Sequence, residues 1–194
     1  METHIDIKAI HFKTRKDWRR WLEKYHATET SLWLIIYRQK SLTRSITYLE
    51  AVEEALCYGW IDSKANTRDA ESAYQFMSKR KPKGVWSKIN KTRVEKLIAE
   101  GLMRPAGQQA IDIAKQNGAW DALNASDNLE IPKDLKNAFA KHNLARKHFD
   151  AFSASARRIL LEWIFSAKRP ETREKRIRET VEAAAQNRKA YPRS

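Results

Sequence analysis

Thr47-Tyr-Leu-Glu-Ala-Val-Glu-Glu-Ala-Leu-Cys-Tyr-Gly-Trp-Ile-Asp-Ser63 holds a helix start, a helix stop and a strand start in one run. Thr47 and Glu50 stand at capping-box spacing, where the hydroxyl accepts from the N3 amide and the carboxylate reaches back to the N-cap amide. Tyr48, Ala51, Val52, Ala55 and Leu56 continue an apolar stripe at helical period. Gly59 follows as the residue best suited to the left-handed position that ends a helix. Trp60 and Ile61 then open a strand, which places Asp62 on the face opposite Ile61.

Outward from this run the same alternation recurs. Upstream, Thr14 caps a helix whose Trp18, Trp21, Leu22 and Tyr25 share one face, and residues 31–38 (SLWLIIYR) read as a buried strand. Downstream, residues 74–77 read as a strand paired with 60–63 around the polar stretch 64–73. From residue 87 onward every periodic segment is helical. Ser87 caps one helix, and Pro105 starts another with Ala110, Ile113 and Ala114 on its apolar side. Lys133 and Asp134 open a third, Phe149 and Phe152 lie on a short fourth, Ser153 caps a fifth, and Pro170 starts the last. The expected fold is therefore α+β and predominantly helical: a small N-terminal sheet with helices over residues 1–86, then an all-helical part over residues 87–194, packed as one unit or two.

Composition sets the outer limits. The chain has 194 residues, 38 Lys+Arg against 24 Asp+Glu, and a formal net charge of +14. Seven Trp and six each of Tyr and Phe suffice for a core. The single cysteine, Cys57, closes no internal disulfide and reads as a buried structural thiol. No apolar run is long enough to span a bilayer, and the N-terminus has no signal-like apolar core, so the expectation is a cytoplasmic protein. Phosphate-loop, dinucleotide-binding and nucleophile-elbow motifs are absent, and the five His are scattered without metal-ligand spacing. Neither a cofactor, a metal site nor a catalytic set is expected.

The charge is concentrated. Residues 79–93 carry seven basic and no acidic side chains, and residues 146–178 carry ten basic and four acidic. Those two windows, at +7 and +6, supply 13 of the 14 net charges. Each precedes or contains a helix start, where orphan amides and the helix dipole favour an anion. The expected partner is an anionic small molecule, phosphate-bearing for example, or a nucleic acid.

Three clusters are candidates for that ligand. Tyr58, Trp60 and Asp62, with Ser63, form an aromatic-plus-carboxylate group. Arg80, Lys83, Trp86, Ser87, Lys88 and Asn90 form a basic loop feeding a helix, with Trp86 as a stacking platform or as a hydrophobic staple. Lys168, Arg169, Arg173 and Arg176 surround the last helix start; there Glu171 with Lys175 and Glu174 with Arg178 also stand at i, i+4 spacing, the ordinary pattern of a solvated helix face. Two other readings remain open. One is an enzyme with Asp62 as acid or base, Arg80 and Lys88 as anion clamp and Trp86 as wall. The other is an interaction module whose aromatic residues are all core.

Four motifs together carry a family resemblance: residues 53–63 (EEALCYGWIDS), 79–90 (KRKPKGVWSKIN), 100–107 (EGLMRPAG) and 167–177 (AKRPETREKRI). In this order they resemble the bacterial YdeI/OmpD-associated, or bacteriocin-protection, family, whose C-terminal helical module is similar to residues 130–185. The departure is Gly84, where a serine is expected. The resemblance implies protection against bacteriocins or cationic antimicrobial peptides, a form of stress resistance, and implies no particular reaction or cofactor. A chain this basic would repel a cationic peptide at its own basic patches, so protection of that kind acts indirectly.

Overall fold

The computed structural model describes residues 2–190. The chain divides into two compact units, residues 1–120 and 121–194.

The first unit is built on a five-stranded sheet, β1 (Thr3–His4), β2 (Ile7–His11), β3 (Ser31–Tyr37), β4 (Trp60–Thr67) and β5 (Ser72–Lys79), in the order β1-β2-β3-β5-β4. The pair β2–β3 is parallel, as a crossover helix demands, and α1 (Arg15–Tyr25) is that crossover. The remaining ladders are antiparallel. Sheet and helices meet at a core of Leu32, Leu34, Trp60 and Met77 from the strands, Trp18 and Leu22 from α1, and Val52 and Leu56 from α2 (Tyr48–Cys57). The opposite sheet face carries a smaller aromatic cluster in which Trp33 is buried among Tyr74 and Phe76.

The caps are where spacing places them. Thr14 accepts from the Asp17 amide, Thr47 and Glu50 complete a capping box, and Ser87 accepts from the Asn90 amide. Strands β1 and β2 are additional to expectation. Neither shows a long apolar alternation, and β2 is held mainly by its partner β3.

Strands do give way to helices after Lys79, yet the first compact unit runs on to Trp120. The reason is packing: α3 (Lys88–Ala99) and α4 (Pro105–Gln116) both lie against α2. The buried face of α4 is Gly107, Ile111 and Ala114; Ala110 and Ile113 are half-buried on its flank, a correction to the expected stripe. Gly107 sets how close α4 comes. A Cβ there would lie 2.7 Å from the Cys57 carbonyl carbon and nearer still to its oxygen, so only hydrogen fits.

Among the described residues, the regular elements of the second unit are all helices: α5 (Asn124–Asp127), α6 (Lys133–Ala140), α7 (Asn143–Ala151), α8 (Ala154–Phe165) and α9 (Pro170–Ala185). Leu135, Phe139, Phe149, Leu160, Leu161, Ile164, Val181 and Ala184 close its core. The α5 turn is additional to expectation. Trp163 of α8 is half-buried.

Candidate anion-binding cleft

The register of the β4–β5 hairpin brings two distant motifs together. Trp60 pairs with Lys79, and one step further the Arg80 amide donates to the Gly59 carbonyl at 2.9 Å. Tyr58 and Gly59, at the end of α2, thus sit beside Arg80, which begins the basic loop. Gly59 has φ +72°, the conformation glycine tolerates, and a Cβ there would come within 2.8 Å of the Ala106 carbonyl oxygen. The start of α4 is therefore held directly against this turn.

Between these elements lies a cleft of about 310 Å³. One wall is cationic: Lys79, Arg80 and Lys81. The other is an apolar stripe of α4, Ala106, Ala110 and Ile113, with Gln109 alongside. His26, Tyr58 and Gly59 close the inner end, and no carboxylate lines the cleft.

Of these cations Lys79 and Arg80 are half-buried and Lys81 is exposed. The Arg80 guanidinium lies 3.7 Å from the centre of the Trp86 ring and donates from Nη2 to the Val85 carbonyl at 2.8 Å. It has no ion-pair partner among the described residues. Burial brings it down to about 10, with the charge of Asp62 pulling the other way. A guanidinium offers five donors, and the bond to Val85 is the one it makes to a described residue. Lys79, by contrast, is tied to the Ala27 carbonyl at 2.6 Å.

Two polar rings complete the inner end. His26 Nδ1 lies 2.8 Å from the Leu22 carbonyl oxygen; a carbonyl only accepts, so Nδ1 carries the proton. Tyr58 is 4% exposed, 5.2 Å ring to ring from His26, and its hydroxyl is buried without a hydrogen-bond partner.

The other expected site residues have different positions. Trp60 is buried core and donates to the His26 carbonyl. Asp62 accepts a 2.6 Å bond from the Tyr48 hydroxyl, whose titration burial and that bond push up to about 12; Asp62 does not line the cleft. Trp86 is 1% exposed, with Arg80 on its face and Trp120 5.0 Å away, so it is a core ring that carries Arg80 and not an open platform for a base. Lys83 is exposed in the turn closed by Gly84 on Lys81. Ser87 caps α3, Asn90 accepts from Arg93 at 2.9 Å, and Lys88 is exposed on the first turn and engaged.

In the second unit Arg173 grips Asp134 through two bonds, at 2.6 and 3.1 Å, and donates to the Ile164 carbonyl. Arg176 donates to the Trp163 carbonyl and to Ser166. Both therefore serve the C-terminal end of α8, where carbonyls lack helical partners. Lys168 and Arg169 are exposed, and Glu171 already answers the dipole at the start of α9. The ion pairs along α9 are Lys175–Glu179 and Arg178–Glu182, in place of the expected Glu171–Lys175 and Glu174–Arg178. The two basic windows belong to different units.

Two larger grooves flank α9, of about 680 and 660 Å³. The first mixes Lys175 and Arg176 with Glu179 and Glu182; the second sets Ala138, Ile177 and Val181 among Asp134, Glu174, Arg178 and Glu182. Neither gathers cations without carboxylates; a groove of about 490 Å³ beside the end of β3 does, with Arg38 and Arg44, but both of these are exposed. His26, Lys79 and Gln109 are cleft residues that the candidate clusters omit. Only the hairpin register and the approach of α4 unite them with Tyr58 and Arg80. Among the described residues no cluster of His, Cys, Asp or Glu is placed to hold a metal ion, and no helix is long and apolar enough to cross a membrane.

Residues 10–110 match the family model described as Domain of unknown function (DUF8412), and residues 128–187 match that described as Bacteriocin-protection, YdeI or OmpD-Associated. No curated protein and no solved structure matches the chain.

Proposed function

Because the chain belongs to the DUF8412 family through residues 10–110 and carries a bacteriocin-protection, YdeI or OmpD-associated segment at residues 128–187, we propose that it is a bacteriocin-protection-type protein that acts by binding an anionic small molecule in the Arg80 cleft, without catalysis. The observation that carries the ligand half of this reading is Arg80: a half-buried guanidinium, without an ion pair to any described carboxylate, in a cleft whose charged lining is all cationic. Taking part of a charge out of water costs free energy unless other groups compensate it. The Trp86 ring and the Val85 carbonyl supply part of that compensation. An anion supplies the rest and engages the unused donors.

A small molecule is favoured over nucleic acid by Trp86. Single strands bind where aromatic faces are open to stack bases, and this face is covered by Arg80. The enzyme alternative needs Asp62 in the same cleft as Arg80, whereas its carboxylate is engaged by Tyr48 outside the cleft lining.

The test is a thermal-shift screen of the full chain against inorganic phosphate, small organic carboxylates, nucleotides and oligonucleotides at several salt concentrations. Native-state binding raises the melting temperature. The reading expects stabilisation by small anions that is lost in Arg80→Met. Stabilisation by oligonucleotides alone, with a steep salt dependence, contradicts it.

A further inference from the structure

Resting on the reading of the Arg80 cleft as an anion site, we infer that its ligand is an organic anion with an apolar body and a hydroxyl or N–H donor, rather than a bare inorganic anion. The cleft has two unlike walls. Lys79, Arg80 and Lys81 face an anionic group, while Ala106, Ala110 and Ile113 follow one another at i, i+4 and i+7 on a single stripe of α4. Inorganic phosphate satisfies the first wall and leaves the second in contact with water. A carboxylate or phosphate ester with an apolar body covers both, and the apolar area removed from water adds to the complex. The volume, about 310 Å³, stands at the lower end of small-molecule sites and accommodates such a body.

The donor requirement comes from His26. Because Nδ1 donates to the Leu22 carbonyl, Nε2 is the ring nitrogen left for a ligand, an acceptor in the tautomer this bond selects, and it has no partner among the described residues. A fully anionic ligand offers His26 nothing to accept; a ligand hydroxyl or N–H does. Tyr58, in the same lining, adds a buried hydroxyl that also lacks a partner. The site therefore pairs cations for the charged end with an acceptor for a donor elsewhere on the ligand, so the ligand is asymmetric.

The experiment is an amide-resolved NMR titration of the full chain with benzoate, the three isomeric hydroxybenzoates, inorganic phosphate and an oligothymidylate, each at millimolar concentration. Benzoate is expected to move the Gly59, Arg80 and Ala110 amides and to bind more tightly than phosphate. At least one hydroxybenzoate is expected to bind roughly fivefold more tightly than benzoate, the yield of one neutral hydrogen bond. His26→Phe should erase that preference while retaining benzoate binding, and Ile113→Glu should abolish binding of every aromatic anion. If phosphate binds as tightly as the aromatic anions and all are lost in Arg80→Met, the anion site stands and the inference about its ligand fails. If the oligothymidylate moves the same amides at lower concentration, the inference also fails. If no probe moves them, the inference and the reading beneath it fall together.

Discussion

Gly107→Ala is the sharpest perturbation of the packing that shapes the cleft. In an ordinary helix interior the exchange stabilises by about 1 kcal/mol, because glycine loses more freedom on folding. Here the new Cβ would stand 2.7 Å from the Cys57 carbonyl carbon and 2.5 Å from the Met103 sulfur, where ordinary contact begins at 3.4 Å. Met103 is flexible and half-buried and can yield; the Cys57 backbone, in a buried helix end, cannot without moving α4. Moving α4 stretches the Arg104 amide bond to the Cys57 carbonyl, 3.2 Å in the native chain, and pulls Ala106 from Gly59. Overpacking of this kind costs roughly 1–3 kcal/mol and a weakened backbone bond about 1 more. Set against the propensity gain, the net expectation is a loss of about 2 kcal/mol. Urea unfolding followed by tryptophan fluorescence reads it, since six of the seven Trp lie in the first unit. Gly101→Ala is the control: its Cβ meets nothing within 4 Å, and only the φ of +68° opposes it, at a cost of about 1 kcal/mol. A Gly107→Ala chain as stable as the native one would refute the claim that this contact fixes α4.

Further predictions concern groups outside the cleft. Glu54 is 2% exposed and binds Arg15 at 2.5 Å and Arg19 at 2.6 Å, tying α1 to α2. Glu54→Gln leaves the partly buried Arg19 without a counter-charge and Arg15 with Glu53 alone, and should cost about 3 kcal/mol by urea unfolding; a change under 1 kcal/mol would contradict the clamp. Burial first, and the charge of Glu54 next, push the Cys57 thiol up to about 11. Iodoacetamide at pH 8 should therefore leave the folded chain unmodified and label it only in denaturant; rapid labelling of the native protein counts against this burial. Arg173 holds the Asp134 carboxyl below the usual carboxylate range, so the pair stabilises above the unfolded carboxyl value of about 4 and is lost as pH falls through the lower folded value. Asp134→Asn should thus lower the melting temperature at neutral pH and flatten its fall in acid, and an unchanged acid limb would show the pair to be without effect.

The α+β class, the caps at Thr14, Thr47 and Ser87, and the β4–β5 pairing were all legible, because each depends on neighbours close in sequence. Strand β2 was not, since its five residues gain their identity from the parallel partner Trp33–Ile35. The extent of the first unit was hidden for a similar reason: the helical period of α3 and α4 says nothing of which body they join. At the site, Arg80 and Tyr58 were readable as cation and aromatic and Lys79 as one charge of the 79–93 window, but the cleft residue His26 had no local mark. Trp86 shows the limit most clearly. Its spacing suited a stacking platform as well as a staple, and the fold places Arg80 on its face. The Arg173 and Arg176 cluster resembled an anion site because the carbonyls they serve, Ile164 and Trp163, lie on the preceding helix.

The account turns on whether Arg80 is an anion receptor, and Arg80→Met tests this most directly, since methionine keeps an unbranched stem near Trp86 and removes the charge. Benzoate titration of both chains at low salt, followed on the Gly59 and Ala110 amides, should show binding at least about tenfold weaker in the variant, the scale of one lost charged hydrogen bond. Equal binding by the two chains, with the variant folded, would contradict the account.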